Sequence, residues 1–358
     1  MRILVTGGAG FIGSNLVHYL LGGSTHELVS EIDLVVTLDK LTYAGSRARL
    51  AGLENDPRYR FVVGDIGDSA LVSALLREHQ IDAVMHLAAE SHVDRSIDNP
   101  EQFIQTNIVG TFRLLEEVRR FWSDPTGLIQ NPRFLHVSTD EVFGSLGPED
   151  PAFNEATAYA PNSPYSASKA ASDHLVRSYH HTYGLPVITT NCSNNYGPYQ
   201  FSEKLIPLMI SKLIHGEGLP VYGQGANIRD WLYVEDHCRG LEMVLARGIP
   251  GESYVMGGRC EMTNLEMVHA IIEIYHEFSP DKSGKSAEEW IVYVKDRPGH
   301  DLRYAVNPER IERDLGWAPR ENFFSGLRRT VQWYLENKEW ILDSQRGNYR
   351  GERLGNPS

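Results

Sequence analysis

Up to Asn194, short apolar runs alternate with longer stretches whose apolar residues recur at helical spacing. Arg2-Ile3-Leu4-Val5-Thr6 is a β-prone run, and Leu16, Val17, Tyr19, Leu20 and Leu21 follow with a helical period. Further runs at 34–38, 60–63, 83–87, 134–137 and 187–191 read as strands two to six. This alternation predicts an α/β fold, a Rossmann-type doubly wound parallel sheet with helices on both faces. The helix expected from Pro100 to about Trp122 is apolar all round, with Phe103, Ile104, Ile108, Phe112, Leu115, Val118 and Phe121. Such a helix is either internal or packed on a second subunit. Its polar residues Thr106 and Asn107 read by default as solvated, although they could face a ligand.

The pattern changes after Asn194. Pro198, Pro207 and Pro220 interrupt the chain, with one helix near Lys204 to His215. A strand is expected at 230–234 and a helix at 236–246. Beyond Gly257 there is no βαβ regularity, and an amphipathic helix is expected at about 324–342. We therefore expect residues 1–194 to form the sheet domain, with the chain returning to it near 230–250. Residues 195–358 would form a smaller, mixed substrate-binding domain over the carboxyl ends of the strands, where open α/β sheets bind ligands.

The first strand runs into Gly7-Gly8-Ala9-Gly10-Phe11-Ile12-Gly13 and then a helix. Gly7, Gly10 and Gly13 suit a tight turn, a close pyrophosphate and close helix–strand packing, with the helix N-terminus facing the phosphates. The second strand ends at Asp39, roughly 20–25 residues beyond the glycines, where a carboxylate can bond a ribose 2′-hydroxyl. That carboxylate repels a 2′-phosphate, so NAD is favoured over NADP; Lys40 weakens the preference a little. Strand three ends at Asp65-Ile66, an acid that could reach an adenine or cap the next helix. Strand four ends in Leu87-Ala88-Ala89, small enough for a cofactor to lie against.

The fifth strand ends in Ser138-Thr139-Asp140-Glu141, and Tyr165-Ser166-Ala167-Ser168-Lys169 lies further on. Ser163 and Pro164 suit a helix start. On that helix Tyr165 and Lys169 share a face. A free phenol has a pKa of about 10, and a neighbouring ammonium favours its phenolate, so the pair can act as a base. Alone, this spacing is equally that of a surface Tyr–Lys pair; beside a nicotinamide-binding turn it points to hydride chemistry.

With 358 residues, 41% hydrophobic and 23% charged, the composition is that of a soluble globular chain. A net charge of -13 argues against nucleic acid or an anionic membrane as partner. The widely spaced Cys192, Cys238 and Cys260 read as buried, reduced cysteines of a cytoplasmic protein. The chain begins almost directly with a strand, so no signal peptide is expected, and no apolar run approaches the ~20 residues of a membrane span. His86 and His92 flank a turn, but no spacing suits a metal.

The glycine turn, Ser138-Thr139 and Tyr165-x-x-x-Lys169 resemble the extended short-chain dehydrogenases/reductases that act on nucleotide sugars. Met1 to Gly13, Asp39 to Gly45, His86 to Ser96, Ser138 to Glu141, Asn191 to Tyr199, Arg229 to Asp236 and Asp296 to Asp301 are similar to the 4,6-dehydratase branch. Thr139-Asp140-Glu141 is the most specific element, since C4 epimerases share Tyr and Lys but lack the acid pair. The resemblance implies dTDP-glucose as substrate, NAD as cofactor and a homodimer built on two helices from each subunit. It implies Asp140 as proton donor, Glu141 as base at C5, and Thr139 bonding the sugar near C4. It places Phe11, Ile12, Lys40, Leu41, Thr42, Asp65, Ile66, Leu87, Ala88, Ala89, Ser91, Thr106 and Asn195 at the cofactor, with Tyr165 and Lys169. It places Ser91, Asn194, Lys204, Leu205, Pro220, Tyr222, Arg229, Asn264, Asp296, Arg297 and His300 at the substrate. The same residues leave open a 4-epimerase, a decarboxylating sugar-nucleotide enzyme, or a non-catalytic NAD-binding sensor. The 145–162 loop could serve as a lid, by a path the sequence does not fix.

Overall fold

The computed structural model describes residues 1–22, 32–124, 129–280, 284–296 and 299–341. The first part of the chain holds β1 (Arg2–Thr6), α1 (Phe11–Leu21), β2 (Leu34–Asp39), β3 (Tyr59–Val63), α2 (Ser69–Glu78), β4 (Ala83–His86), α3 (Val93–Asp98), α4 (Pro100–Phe103), α5 (Thr111–Trp122), β5 (Arg133–Thr139), α6 (Pro164–Tyr183) and β6 (Val187–Cys192). The rest holds β7 (Asn194–Tyr196), α7 (Leu205–His215), β8 (Leu219–Tyr222), β9 (Ile228–Tyr233), α8 (Val234–Arg247), β10 (Ser253–Met256), β11 (Glu261–Thr263), α9 (Asn264–Phe278), α10 (Ala287–Trp290), β12 (Ile291–Val294), α11 (Glu309–Leu315) and α12 (Phe323–Glu336).

Seven strands make one sheet in the order β10-β6-β5-β4-β1-β2-β3, every pair parallel. The strands are buried on both faces because each face carries a helical layer. Leu16, Val17 and Leu20 of α1 join Leu241 and Leu245 of α8 on one face. Val72 and Leu76 of α2, Leu115 and Val118 of α5 and Val176 of α6 cover the other. The strand order reverses between β1 and β4, which opens a crevice at their carboxyl ends.

The remaining strands form a mixed three-stranded sheet, β11-β9-β7, and a parallel pair, β12-β8. They enclose a second core with Met209, Ile210, Trp231, Ile271, Leu327 and Tyr334. The strand expected at 230–234 is β9, and it belongs to this small sheet. Helix α8 after it packs against α1, β5 and β6, and β10 then extends the large sheet beyond β6. Strands of three or four residues such as β7, β8 and β12 are too short to leave a readable period in the sequence.

The helix expected from Pro100 to Trp122 is continuous, but Ile104–Gly110 winds as a π-helix between α4 and α5. Such insertions cluster at functional sites. The default reading of Thr106 and Asn107 as solvated is wrong: both are buried. Asn107 Nδ2 donates to the Glu90 carbonyl oxygen at 3.0 Å and to Ser168 Oγ at 2.8 Å, tying the end of β4 to α6. Helix α12 ends at Glu336, a one-residue turn at Asn337 follows, and residues 338–341 are helical again; Leu342 lies outside the described residues. The 145–162 loop lies against the C-terminal segment. Leu146 bridges to Arg303 and Phe153 to Val306, and Glu155 Oε1 accepts the Val255 N–H at 2.8 Å.

Candidate functional site

The turn after β1 has the build of a dinucleotide cradle. Gly7 sits at φ 72°, and a Cβ there would lie 2.6 Å from the Ala88 nitrogen; at Gly13 it would lie 2.2 Å from the Gly7 oxygen. Only glycine tolerates either position. Asp39 braces the turn: Oδ2 accepts the Ala9 N–H at 2.9 Å and Oδ1 the Leu41 N–H at 2.8 Å. Lys40 bonds Thr106 Oγ1 at 3.0 Å and faces Asp65 at 3.6 Å, so its charge is already answered. A cleft of about 300 Å³ runs along the crevice. It is lined by Gly7, Gly10, Phe11, Ile12, Gly13, Asp39, Lys40, Thr42, Asp65, Ile66, Leu87, Ala88, Ala89, Ser91, Thr106, Thr139, Asp140, Glu141, Tyr165, Lys169 and Asn195. Leu41 is the exception among the residues expected at a cofactor: its side chain packs into the core beneath.

The catalytic candidates meet where β5 ends and α6 begins. Thr139 Oγ1 accepts the Glu141 N–H at 3.2 Å and donates to Asp140 Oδ1 at 3.2 Å. Ser163 and Ser166 form a reciprocal cap that starts α6, with Pro164 in its first turn. Tyr165 and Lys169 are both buried on that helix. Burial, then the charges of Glu141 and Asp230, push the Asp140 carboxyl well above the carboxylate range. Asp140 Oδ2 is buried with no hydrogen-bond partner among the described residues, as is Asn194 Oδ1. These are polar atoms that a bound ligand would satisfy.

One electrostatic expectation needs correction. The spacing implied that Lys169 lowers the Tyr165 phenol. In the chain by itself burial, and then the Glu141 carboxylate, push that phenol well above its ordinary value. The Lys169 ammonium instead donates to the Val137 carbonyl oxygen at 2.9 Å.

A second cleft, about 260 Å³, opens beside the first between the two cores. Asn194, Lys204, Leu205, Pro220, Tyr222, Arg229, Asn264 and His300 line it, and Glu141, Asn194, Glu203 and Lys204 line both clefts. Ser91 and Thr139 belong to the wall of the first cleft, not the second. Asp296 stands behind His300, whose Nδ1 it bonds at 2.6 Å. Arg297 lies outside the described residues. The buried Arg229 guanidinium lies over the Tyr304 ring at 4.3 Å and donates to the Asp301 carbonyl oxygen at 3.0 Å.

Sequence reasoning missed Glu203 and Asp173, and by default left Asn107 in solvent. Glu203 accepts from Tyr43 OH at 3.2 Å and from Arg95 Nε at 3.2 Å, residues far away in the chain. Arg95 therefore serves both Glu203 and the face of Tyr43, 3.8 Å away. No local spacing signals such a cluster. Among the described residues no group of three or more His, Cys, Asp or Glu is gathered as a metal site. Nor is any helix there long and apolar enough to cross a membrane.

The family model for GDP-mannose 4,6 dehydratase matches residues 4–330. The dTDP-glucose 4,6-dehydratase of Xanthomonas campestris pv. campestris (strain B100) is 57% identical over 353 residues, 98% of each chain. That of Neisseria meningitidis serogroup B is 55% identical over 357 residues, 99% of each chain. The crystal structure of the Streptomyces venezuelae dTDP-glucose 4,6-dehydratase, with NAD bound, is 48% identical and superposes with a TM-score of 0.87 over 96% of this chain and 100% of its own. A UDP-glucose 4-epimerase from Thermotoga maritima is 25% identical, with a TM-score of 0.81 over 94% of this chain and 100% of its own.

Proposed function

Because the chain belongs to the GDP-mannose 4,6 dehydratase family, we propose that it converts dTDP-glucose to dTDP-4-keto-6-deoxyglucose and water, as a hydro-lyase that uses NAD without consuming it. The observation that carries this reading is the acid pair at the junction of the two clefts. Burial and the neighbouring Glu141 raise the proton affinity of Asp140, which suits one carboxyl group to donate a proton and its neighbour to accept one.

NAD bound in the first cleft takes hydrogen with its electron pair from C4 and returns it to C6. Tyr165 accepts the proton of the C4 hydroxyl. In the bound state the Lys169 ammonium, with a cationic nicotinamide nearby, supplies positive charge that the chain alone does not bring to the phenol. Thr139 hydrogen-bonds the sugar near C4. The ketone at C4 acidifies the C5 hydrogen, which Glu141 removes as a proton. Asp140 protonates the C6 hydroxyl as its C–O bond breaks, and water leaves. Glu141 then returns a proton to C5.

The diphosphate brings about two negative charges into an acidic chain, so cations must gather locally. Lys204, Arg229 and His300 line the second cleft for this purpose, and Arg297 is assigned with them from the resemblance. Pro220 and Tyr222 suit the wall against the base, and Asn194 and Asn264 suit polar contacts. Two dTDP-glucose 4,6-dehydratases at 55–57% identity favour this substrate over that of the 25% identical epimerase. The adjacent acid pair favours it as well. An intact Tyr165 and Lys169 weigh against a non-catalytic sensor.

Assembly as a cytoplasmic homodimer completes the reading. Ile104, Phe112 and Tyr183, on neighbouring parts of the α4–α5 helix and α6, are about half exposed and suit a contact between copies. The test of function is direct. Purified chain with NAD and dTDP-glucose should give the 4-keto-6-deoxy product with no net NADH. Recovery of a C4 epimer instead would overturn the proposal.

A further inference from the structure

We propose that Asp173 is the fixed counter-charge of Lys169, and so a positioning residue for the Tyr165–Lys169 base; this rests on the reading of the site above. Tyr165, Lys169 and Asp173 follow at intervals of four on α6 and form one stripe, which faces β5 and β6. Lys169 and Asp173 are both buried, with 5% and 4% of their surface exposed. An ammonium taken out of water at such a site is costly unless an anion accompanies it.

The carboxylate of Asp173 is built to remain an anion. Oδ1 accepts from His136 Nε2 at 3.0 Å, and Oδ2 accepts from Tyr159 OH at 2.9 Å and Asn191 Nδ2 at 3.2 Å. Burial opposes its ionisation, but His136, Lys169 and Ser138 outweigh burial and hold it below the ordinary carboxylate range. Burial disfavours the charged forms of the nearby His136, His86, Cys192 and Asp140. His136 on β5 and His86 on β4, ring centroids 5.2 Å apart, are both pushed down by burial. Burial pushes the Cys192 thiol of β6 up to about 12 and the Asp140 carboxyl well above its ordinary range. The His174 ring lies tilted against the Tyr159 ring, their centroids 5.2 Å apart. Burial lowers the Lys169 ammonium, and Asp173 opposes that fall.

The geometry adds a mechanical role. Lys169 is anchored to the Val137 carbonyl of β5, and Asp173 is anchored one turn later to His136 on the same strand. Tyr159 joins the 145–162 loop to this anchor. Asp173 thus fixes both the charge and the reach of Lys169 without touching substrate or cofactor.

The test uses the full chain. Asp173→Asn keeps the shape and removes the charge. In denaturant at pH 8 it should be strongly destabilised, and adding Lys169→Met should restore part of the loss, because no uncompensated ion then remains. If Asp173→Asn cannot be purified, the double variant should still fold; simple additivity, or a double variant no more foldable than the single, overturns the pairing. A second readout is the pH profile of C4 oxidation in a single turnover, a step that Asp140 does not enter. Its alkaline limb, which reports loss of the ammonium, should move down by on the order of one unit in Asp173→Asn. It should stay put in Tyr159→Phe, which keeps the charge. An unmoved limb in Asp173→Asn, or an equal shift in Tyr159→Phe, counts against the proposal. Absence of dTDP-glucose turnover in the wild type would sink the functional reading alone, since the stability comparison still judges the pair.

Discussion

Thr139 Oγ1 donates to Asp140 Oδ1 at 3.2 Å, and this hydrogen bond is the side-chain contact of a carboxyl group that is otherwise enclosed. Burial, Glu141 and Asp230 raise the proton affinity of Asp140 in the folded chain. The unfolded chain releases that proton near pH 4, the folded chain only at a much higher pH. The unfolded state therefore binds fewer protons over that window, and stability falls as pH rises through it, by up to about 1.4 kcal/mol per pH unit. Asp140→Asn removes the effect. The variant should match wild type near pH 4 and exceed it at pH 8 in denaturant titrations. Equal stability of the two at pH 8 would show that Asp140 ionises normally.

Tyr165→Phe removes the group proposed to accept the C4 hydroxyl proton while leaving the packing of α6 intact. Oxidation at C4 should stop, so mixing with substrate gives no near-ultraviolet absorbance. Loss of a general base costs roughly 10²–10⁴-fold, about 3–5 kcal/mol of barrier. NAD affinity in calorimetry should change little. A variant that still oxidises at near wild-type rate would remove Tyr165 from the mechanism.

The glycine turn, Asp39, Thr139 to Glu141 and the Tyr165–Lys169 pair were legible because each depends on local geometry: a turn, a strand end, one helix face. The second cleft needed the family resemblance, since Arg229, Asn264 and His300 converge from separate elements. Asp173 and Glu203 were not legible at all. A buried carboxylate is defined by its donors, and theirs lie on other strands and loops. The π-helix at Ile104–Gly110 was invisible for a related reason: apolar residues all round fit any helical pitch, and what fixes Asn107 is its contact with Glu90 and Ser168.

Asp39 braces the turn through Ala9 and Leu41, and its charge is proposed to repel a 2′-phosphate. Asp39→Ala should therefore do two things. The preference for NAD over NADP should narrow, and NAD itself should bind more weakly. Calorimetry with both cofactors measures each; an unchanged preference would mean that Asp39 does not set it.

Phe112, 45% exposed on α5, belongs to the apolar face proposed for the dimer contact. Sedimentation at micromolar concentration should show a dimer for the wild type. Phe112→Glu places a charge in that face and should shift the equilibrium toward monomer, with the fold retained by circular dichroism. A wild-type monomer would rule the contact out.

The proposed mechanism gives oxidation and elimination to different residues, so they should separate in mutants and in isotope distribution. Asp140→Asn with Glu141→Gln leaves Tyr165 and Lys169 in place. C4 should still be oxidised, but water should not leave. The 4-keto hexose should accumulate, with a lasting near-ultraviolet signal, because the carboxyl groups that would process it are gone. The expected loss in product formation is again roughly 10²–10⁴-fold. In deuterium oxide the wild type should place solvent deuterium at C5, since Glu141 lines the cleft and exchanges its proton. C6 should instead receive the hydrogen that left C4 of the same molecule, because that hydrogen never passes through a side chain. A substrate carrying deuterium at C4 should therefore yield product deuterated at C6 even in ordinary water. Solvent deuterium at C6, or near wild-type elimination by the double variant, would require other residues for the roles assigned to Asp140 and Glu141.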